Sequence, residues 1–159
     1  MSQAYISLGS DSGNRAENIN RAVWIIAAHP KIKVTAVSRL YETKLGDSSS
    51  GENPLFGAIR VETSLSPREL LTALIETEDE MGKNRDKNSP TVIDADLLYY
   101  EDAVMNTPDL ILPHPQIENR PHIICALLSI YADKNLKDRL KDLGEKNVWV
   151  VSDGLYMPL

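Results

Sequence analysis

Cysteine is nearly absent from this sequence: Cys125, in the apolar run HIICALLSIYA, is the only one among 159 residues. A single thiol excludes the disulfide framework that stabilises many small secreted domains. Cysteine and histidine also form no cluster with the spacing of a zinc site. We therefore expect Cys125 to be a buried small hydrophobe and the protein to act in a reducing compartment, the cytoplasm.

Long apolar segments and an excess of basic residues are also missing. No segment approaches the roughly 18 apolar residues of a membrane-spanning helix, and MSQAYISLGSDSG lacks the features of a signal peptide. Seventeen basic and twenty-three acidic residues give a formal net charge of −6, which argues against a generic binder of nucleic acids or acidic membranes. We expect small-molecule substrates, no nucleic-acid or membrane partner, and a monomer or weak homodimer.

The chain length suits one domain, residues 1–159, with a core large enough to fold without disulfides. Period-two alternation predicts strands, and apolar residues at intervals of three or four predict helices. The strands are predicted at residues 3–9, 31–43, 55–63, 91–100 and 147–152, with a short one in AVMN, and the helices at 14–30, 66–82, 120–132 and 136–144. The order βαββαβ with a helical tail indicates an α+β fold, a ferredoxin-like α/β sandwich in which a mostly antiparallel sheet packs against helices.

The helix over 66–82 has the strongest end signals in the sequence. Ser66 stands at the N-cap, Pro67 at the first helical position and Glu69 at the capping-box position, and Gly82 ends the pattern. These residues predict where the helix begins and ends.

Two aspartates interrupt the apolar run of the strand VIDADLLYY. Because side chains alternate along a strand, Asp94 and Asp96 share one face, while Ile93, Ala95 and Leu97 point into the other layer. Like charges at this spacing repel each other unless a cation lies between them. Mg²⁺ is typically held by one or two carboxylates together with substrate phosphates, so the pair indicates a phosphate-transfer site.

A D-x-D pair also occurs on strands whose second face is simply solvated, and the pair by itself is a weak signal. The segment LPHPQIENR adds His114 and Arg120, which could bind the oxygens of a polyphosphate. The alternatives are a histidine in a turn and a surface arginine at the start of a helix.

Several segments together resemble the 6-hydroxymethyl-7,8-dihydropterin pyrophosphokinases, enzymes of the folate pathway that transfer a diphosphate from ATP to a pterin alcohol. The matching segments are AYISLGS, SRLYET, VETSLSPRELL, the DAD of VIDADLLYYED, and LPHPQIENR. They span most of the chain in the expected order. The most specific part is the PH-x6-R-like segment combined with D-x-D.

The resemblance implies a set of roles for the candidate residues. Asp94 and Asp96 would hold two Mg²⁺ ions that bridge the phosphates of ATP, the co-substrate. His114 and Arg120 would contact the triphosphate, and Glu78 would help to frame the nucleotide. The substrate hydroxyl would attack the β-phosphorus in line, and AMP would leave.

The acceptor side departs from the family pattern. Pro54 and Phe56 stand where the family usually has an aromatic residue and an asparagine before the VETSL strand, and His122 stands at the second stacking aromatic. A phenyl ring supplies no partner for the amide edge of a pterin. We expect these three residues to line the acceptor pocket.

The loop before the two aspartates also departs from the family pattern. It is shorter than usual, with Thr91 at the place of an arginine and Asn88 at that of a tryptophan. Lys83, Arg85 and Lys87 remain as candidate cations, and we expect a catalytic role for Lys83 and Arg85, although lysine supplies a point charge where arginine supplies a fork.

Two functions stay open at this stage. The first is a Mg-ATP-dependent diphosphotransferase that acts on the usual pterin or on a related alcohol. The second is a diverged paralogue that binds nucleotides or a partner protein with weak or no transfer activity. The retained aspartates, His114 and Arg120 favour the enzyme, and the substitutions on the acceptor side favour the diverged paralogue.

Overall fold

The computed structural model describes residues 1–44, 53–86 and 89–152 of the chain. Its strands are β1 (Ser2–Ser10), β2 (Ile32–Val37), β3 (Leu40–Thr43), β4 (Leu55–Thr63), β5 (Asp94–Tyr100), β6 (Met105–Asn106), β7 (Ile111–Leu112) and β8 (Val148–Ser152). Its α-helices are α1 (Arg15–Ala28), α2 (Pro67–Glu80), α3 (Pro121–Leu128) and α4 (Lys134–Leu143), and a short 3-10 helix spans Ile117–Asn119.

The main sheet has the strand order β5-β1-β4-β3-β8, and β2 pairs with β4 beside β3. All of these pairings are antiparallel. Strands β6 and β7 form a separate small hairpin. The predicted α+β, ferredoxin-like arrangement is confirmed, because the βαββαβ order places β1 in the middle of the sheet, between β4 and β5.

The single strand predicted over 31–43 is wrong, because the chain breaks into β2 and β3 at Ser38. The N–H of Ser38 donates to the carbonyl of Ala58 at 2.9 Å, and its hydroxyl accepts from the N–H of Ala58 at 2.7 Å. The same hydroxyl donates to the carbonyl of Arg39 at 2.6 Å. A buried side chain therefore replaces regular ladder bonds at this point.

The helix predicted over 66–82 is confirmed as α2, and the predicted N-terminal cap is present. Ser66 is the N-cap, and its hydroxyl and the side chain of Glu69 form the reciprocal bonds of a capping box. Pro67 starts the helix, which ends with Met81 as C-cap next to Gly82, whose φ is +78°.

Two other elements are shorter than predicted. Helix α3 ends at Leu128 instead of residue 132. Strand β5 starts at Asp94 instead of residue 91, because the backbone of Thr91 bonds to Asp11 and not to a neighbouring strand. Cys125 is buried within α3, as predicted, and this burial raises the pKa of its thiol to about 12.

Helices cover both faces of the sheet. Ile6 and Leu97 belong to the core under α1 and α2, and Tyr5 and Leu98 to the smaller core under α3 and α4. Tyr5 and Ile6, like Leu97 and Leu98, are consecutive strand residues, and consecutive side chains of a strand point to opposite faces of the sheet. In the part of the chain that is described, no helix is both long and apolar enough to cross a membrane.

Candidate active site

A cavity of about 590 Å³ lies where the end of β1 meets the beginnings of β4 and β5. The first residues of α3 and the segment between α4 and β8 complete its wall. Candidate residues from three separate parts of the sequence meet here: Pro54, Phe56, Thr91, Asp94, Asp96, Arg120 and His122. Such a concave site with a few convergent polar groups is the usual form of a small-molecule site.

Strand register explains why both aspartates reach the cavity. Asp94 lies opposite Gly9 and Asp96 opposite Ser7, two β1 residues that also line the cavity. Ala95 between them is buried in the core under α1 and α2. The predicted alternation is therefore confirmed: the strand packs one face into the core and presents both carboxylates on the other.

The electrostatic surroundings of Asp96 suit a bound cation. Burial raises the pKa of Asp96, a positive His114 would lower it, and the neighbouring carboxylates of Asp94 and Glu78 raise it further. A divalent ion between the aspartates would compensate this accumulation of negative charge. Among the described residues, no group of three or more His, Cys, Asp or Glu side chains is arranged to hold a metal. Two carboxylates on one strand face suit Mg²⁺, which usually takes its other ligands from phosphates and water.

Asp94 belongs to an ion-pair network with Lys83 and Glu78. The ammonium group of Lys83 lies 2.5 Å from Asp94 Oδ1 and 2.7 Å from Glu78 Oε2. Burial acts to lower the pKa of Lys83, but its hydrogen bonds to Asp94 and Glu78 outweigh burial and raise it. Lys83 is thus held as a cation next to the cavity.

Glu78 and Arg85 lie further from the cavity than the aspartates. Glu78 is 5 % exposed, and Arg85 Nη1 lies 3.3 Å from its Oε1. Arg85 also pairs with Asp79 at 2.8 Å. Neither side chain lines the cavity, so the contact of Glu78 with the nucleotide and the catalytic role of Arg85 stay predictions.

His114 lies on the far side of Asp96, in a smaller depression that both residues line. Its Nδ1 accepts a hydrogen bond from the N–H of Gln116 at 3.1 Å, so Nε2 carries the proton of the neutral ring. Burial lowers the pKa of His114, Asp96 opposes that effect, and Arg120 adds to it. The ring is therefore a neutral donor close to Asp96 at pH 7, and its predicted contact with phosphate stays a prediction.

Phe56 and His122 contact each other in the wall of the cavity. Their ring centroids lie 4.2 Å apart, with the planes inclined at 37°. Phe56 lies opposite Gly9 in the sheet, and its ring covers that glycine. Two of the three residues predicted for the acceptor pocket thus form one aromatic unit, and Pro54 lines the same cavity.

Of the two loop residues that depart from the family pattern, Thr91 and Asn88, the structure describes only Thr91. Thr91 lines the cavity, and its N–H donates to Asp11 Oδ1 at 2.6 Å. The N–H of Asp11 donates in turn to the carbonyl of Thr91 at 2.9 Å, so the loop is tied to the chain just after β1. Asn88 and the candidate cation Lys87 lie outside the described residues.

Sequence reasoning missed two parts of the cavity wall. One is the end of β1, where a glycine within a strand is a known signal for the close approach of another group. The other comprises Thr43, Lys44 and residues 143–148. The hydroxyl of Thr43 and the N–H of Lys44 both donate to the carbonyl of Asn147, at 3.0 Å each. No local pattern predicts this pairing, because its partners are about a hundred residues apart in the chain.

Comparison with known proteins supports the sequence-based interpretation. A family model described as 7,8-dihydro-6-hydroxymethylpterin-pyrophosphokinase (HPPK) matches residues 5–132. A 2-amino-4-hydroxy-6-hydroxymethyldihydropteridine pyrophosphokinase of Bacillus subtilis is 32% identical over 155 residues, covering 96% of this chain and 93% of that protein. Its counterpart in Aquifex aeolicus is 35% identical over 131 residues, covering 82% and 81%.

Solved structures show the same fold at low sequence identity. An HPPK-DHPS in complex with substrates aligns with a TM-score of 0.68 and 13% identity, over 98% of this chain and 48% of that one. An HPPK-DHPS of Plasmodium falciparum aligns with a TM-score of 0.67 and 13% identity, over 94% and 48%. The chain thus spans about half of these longer proteins, and the family model and the two bacterial relatives establish its membership. This chain belongs to the 7,8-dihydro-6-hydroxymethylpterin-pyrophosphokinase family.

Proposed function

We propose that this protein transfers a diphosphate from ATP to the hydroxymethyl group of 6-hydroxymethyl-7,8-dihydropterin and releases AMP, as a step of folate biosynthesis. The observation that carries the proposal is the convergence of Asp94, Asp96 and Arg120 on one cavity with the Phe56–His122 pair. The carboxylates and the guanidinium suit a metal-bound triphosphate, and the rings suit a flat acceptor. Family membership supports the same reaction.

In this proposal the acceptor oxygen forms a bond to the β-phosphorus of ATP while the bond from that phosphorus to the α,β-bridging oxygen breaks. The products are AMP, the diphosphorylated alcohol and one proton. Asp94 and Asp96 would hold two Mg²⁺ ions, which would neutralise charge on the phosphate oxygens. The transfer of the diphosphate depends more on correctly positioned charges than on covalent bonds between the protein and the substrate.

The remaining polar and charged residues have supporting roles in the proposal. Arg120 binds phosphate oxygens with its planar fork, and His114 donates from Nε2 to the same group. Lys83 supplies positive charge next to Asp94, with its ammonium group 2.5 Å from the carboxylate, and Arg85 supplies positive charge next to Glu78. Glu78 keeps Lys83 in place through a 2.7 Å ion pair and so acts on the nucleotide indirectly.

The test is to incubate the protein with Mg-ATP, with and without 6-hydroxymethyl-7,8-dihydropterin, and to quantify AMP by chromatography. We expect AMP only when both the pterin and Mg²⁺ are present. AMP without pterin would indicate hydrolysis, and no AMP in any mixture would contradict the proposal. The Asp96→Ala variant should abolish AMP formation, which excludes a contaminating enzyme.

A second candidate is nucleotide binding without transfer, as in a diverged paralogue. Thr91 favours it, because its backbone is fixed to Asp11 and its side chain supplies no positive charge to the cavity. Stabilisation of the protein by a Mg-ATP analogue without AMP formation would support this candidate. The cytoplasmic location and the monomeric or weakly dimeric state are further proposals, and gel filtration tests the latter.

A further inference from the structure

Two hydrogen bonds join the residue after β1 to the segment that leads into β5. The N–H of Asp11 donates to the carbonyl of Thr91 at 2.9 Å, and Asp11 Oδ1 accepts from the N–H of Thr91 at 2.6 Å. A pair of residues that exchanges two bonds in an antiparallel ladder normally uses backbone groups alone. Here a carboxylate replaces one backbone carbonyl, and we call this arrangement the Asp11–Thr91 clamp.

The clamp is out of step with the regular ladder between β1 and β5. Gly9 lies opposite Asp94 in that ladder. From this pair to the clamp, one chain segment advances by two residues, from Gly9 to Asp11, and the other by three, from Asp94 to Thr91. The segment before Asp94 therefore holds one extra residue, an irregularity that re-aims side chains where it occurs next to active sites.

The helix α1 fixes the backbone on both sides of Asp11. Asn18 Nδ2 donates to the carbonyl of Ser12 at 2.9 Å and to the hydroxyl of Ser10 at 3.2 Å. Ser10 is buried and forms the last position of β1. The carboxylate of Asp11 therefore holds Thr91 from a position that the helix and the sheet both determine.

The clamp lies in the wall of the active-site cavity, next to the two aspartates of β5. Asp11, Thr91, Asp94 and Asp96 all line this cavity. Ile93 is fully buried in the core under α1 and α2. The side chain of Asp94 is 47 % exposed, so burial does not fix it. Its direction depends on the backbone before it, which is anchored at Thr91 by the clamp and at Ile93 by the core.

We propose that Asp11 is a positioning residue of the transfer site: by holding Thr91, it fixes the path of the chain into β5 and so aims Asp94 at the metal-bound phosphates. The inference rests on the proposed function, because it concerns the metal site of the same reaction. Both bonds of the clamp use backbone atoms of residue 91, so the clamp is compatible with threonine at this position. Metal affinity depends on groups that orient the ligands as well as on the ligands themselves.

A direct effect of the Asp11 charge on the metal is the alternative, because this carboxylate lines the same cavity. Two substitutions separate the two roles. Asp11→Asn keeps a side-chain oxygen for the N–H of Thr91 and removes the charge, whereas Asp11→Ala removes both. A positioning role survives in Asp11→Asn and is lost in Asp11→Ala, and a direct charge effect is lost in both.

The first experiment measures the Mg²⁺ concentration that gives half-maximal binding of a non-hydrolysable ATP analogue, by calorimetric titration well below the Tm of each variant. We expect Asp11→Ala to raise this concentration by about tenfold or more and Asp11→Asn to stay close to the wild type. The matched control is Asp138→Ala, at an exposed position of α4, which should leave it unchanged. An unchanged value in Asp11→Ala would overturn the inference, and so would equal increases in the two Asp11 variants.

The second experiment observes the clamp itself through the amide signal of Thr91 in NMR spectra. A short hydrogen bond to a carboxylate protects an amide proton from exchange. We expect hydrogen exchange at Thr91 to be faster in Asp11→Ala than in the wild type. Should Asp11→Ala fail to fold, Asn18→Ala replaces it, because it removes the bonds that fix Ser10 and Ser12. Unchanged exchange at Thr91 in the variant that folds would overturn the inference.

The two proposals can fail separately, because neither readout depends on AMP formation. AMP formation by the wild type, together with an unchanged Mg²⁺ requirement in Asp11→Ala, would keep the proposed function and overturn this inference. A raised Mg²⁺ requirement in Asp11→Ala, without AMP formation by the wild type, would support the positioning of Asp94 and contradict the transfer reaction.

Discussion

Glu78 Oε2 accepts a hydrogen bond from the backbone N–H of Ala95 at 3.0 Å, and this bond joins α2 to the residue between the two aspartates. The same oxygen lies 2.7 Å from Lys83 Nζ, and the Glu78 side chain is only 7 % exposed. A buried carboxylate is thus satisfied by one backbone donor and two cations, Lys83 and Arg85. We conclude that Glu78 fixes the position at which the strand presents Asp94 and Asp96.

Graded substitutions of Glu78 test this conclusion. Glu78→Gln keeps an acceptor for the Ala95 N–H but removes the ion pairs with Lys83 and Arg85, and Glu78→Ala removes all of these contacts. We expect Glu78→Ala to lower the free energy of unfolding by about 2–4 kcal/mol and Glu78→Gln by about half as much, measured in urea. Equal losses in the two variants would show that the bond to Ala95 contributes nothing.

Nucleotide binding through the aspartates predicts a metal-dependent thermal shift. A non-hydrolysable ATP analogue with Mg²⁺, at about 100 times its Kd, should raise the Tm by roughly 5 °C or more. Asp96→Ala should abolish the shift, because it removes one of the two β5 carboxylates that line the cavity. Asp138→Ala, at an exposed position on α4, is the control and should keep the full shift. A full shift in Asp96→Ala would exclude this residue from the nucleotide site.

The contact of Phe56 with Gly9 predicts a stability effect that depends on both residues. Gly9→Ala should cost about 1–3 kcal/mol in the wild type, because the new Cβ would lie 2.6 Å from Phe56 Cε1. In a Phe56→Ala background the same change should cost less than about 0.5 kcal/mol, since alanine is otherwise favoured over glycine within a strand. A double-mutant cycle from urea denaturation measures the difference. Additive costs would contradict the contact.

The lowered pKa of His122 predicts how stability depends on pH. Between the ordinary pKa near 6.5 and the folded value of about 4, the unfolded chain binds a proton that the folded chain does not. This contribution to stability is therefore present above pH 6.5 and is lost as the pH falls towards 4. From pH 7 to pH 4.5 the wild type should lose roughly 2 kcal/mol more than His122→Phe, which has no titrating group at this position. Parallel stability curves for the two proteins would show that the imidazole is not depressed in pKa.

Local patterns predicted most of the secondary structure and, within the site, the position of the two aspartates. The capping box at Ser66 and the face shared by Asp94 and Asp96 depend on neighbouring residues, so the sequence was sufficient for both. The break at Ser38 could not be predicted in this way. It depends on hydrogen bonds to Ala58, twenty residues further along the chain.

The sequence by itself determined the antiparallel α+β fold, the D-x-D pair and the family, because these depend on local periodicity and on motifs in a fixed order. Only the tertiary structure decided which groups meet around those motifs. It placed Phe56 over Gly9 and against His122, and it set Glu78 behind Asp94 through Lys83. The physical reason is that strand pairing and burial bring distant residues together, and burial then determines which of them are charged, satisfied or without a partner.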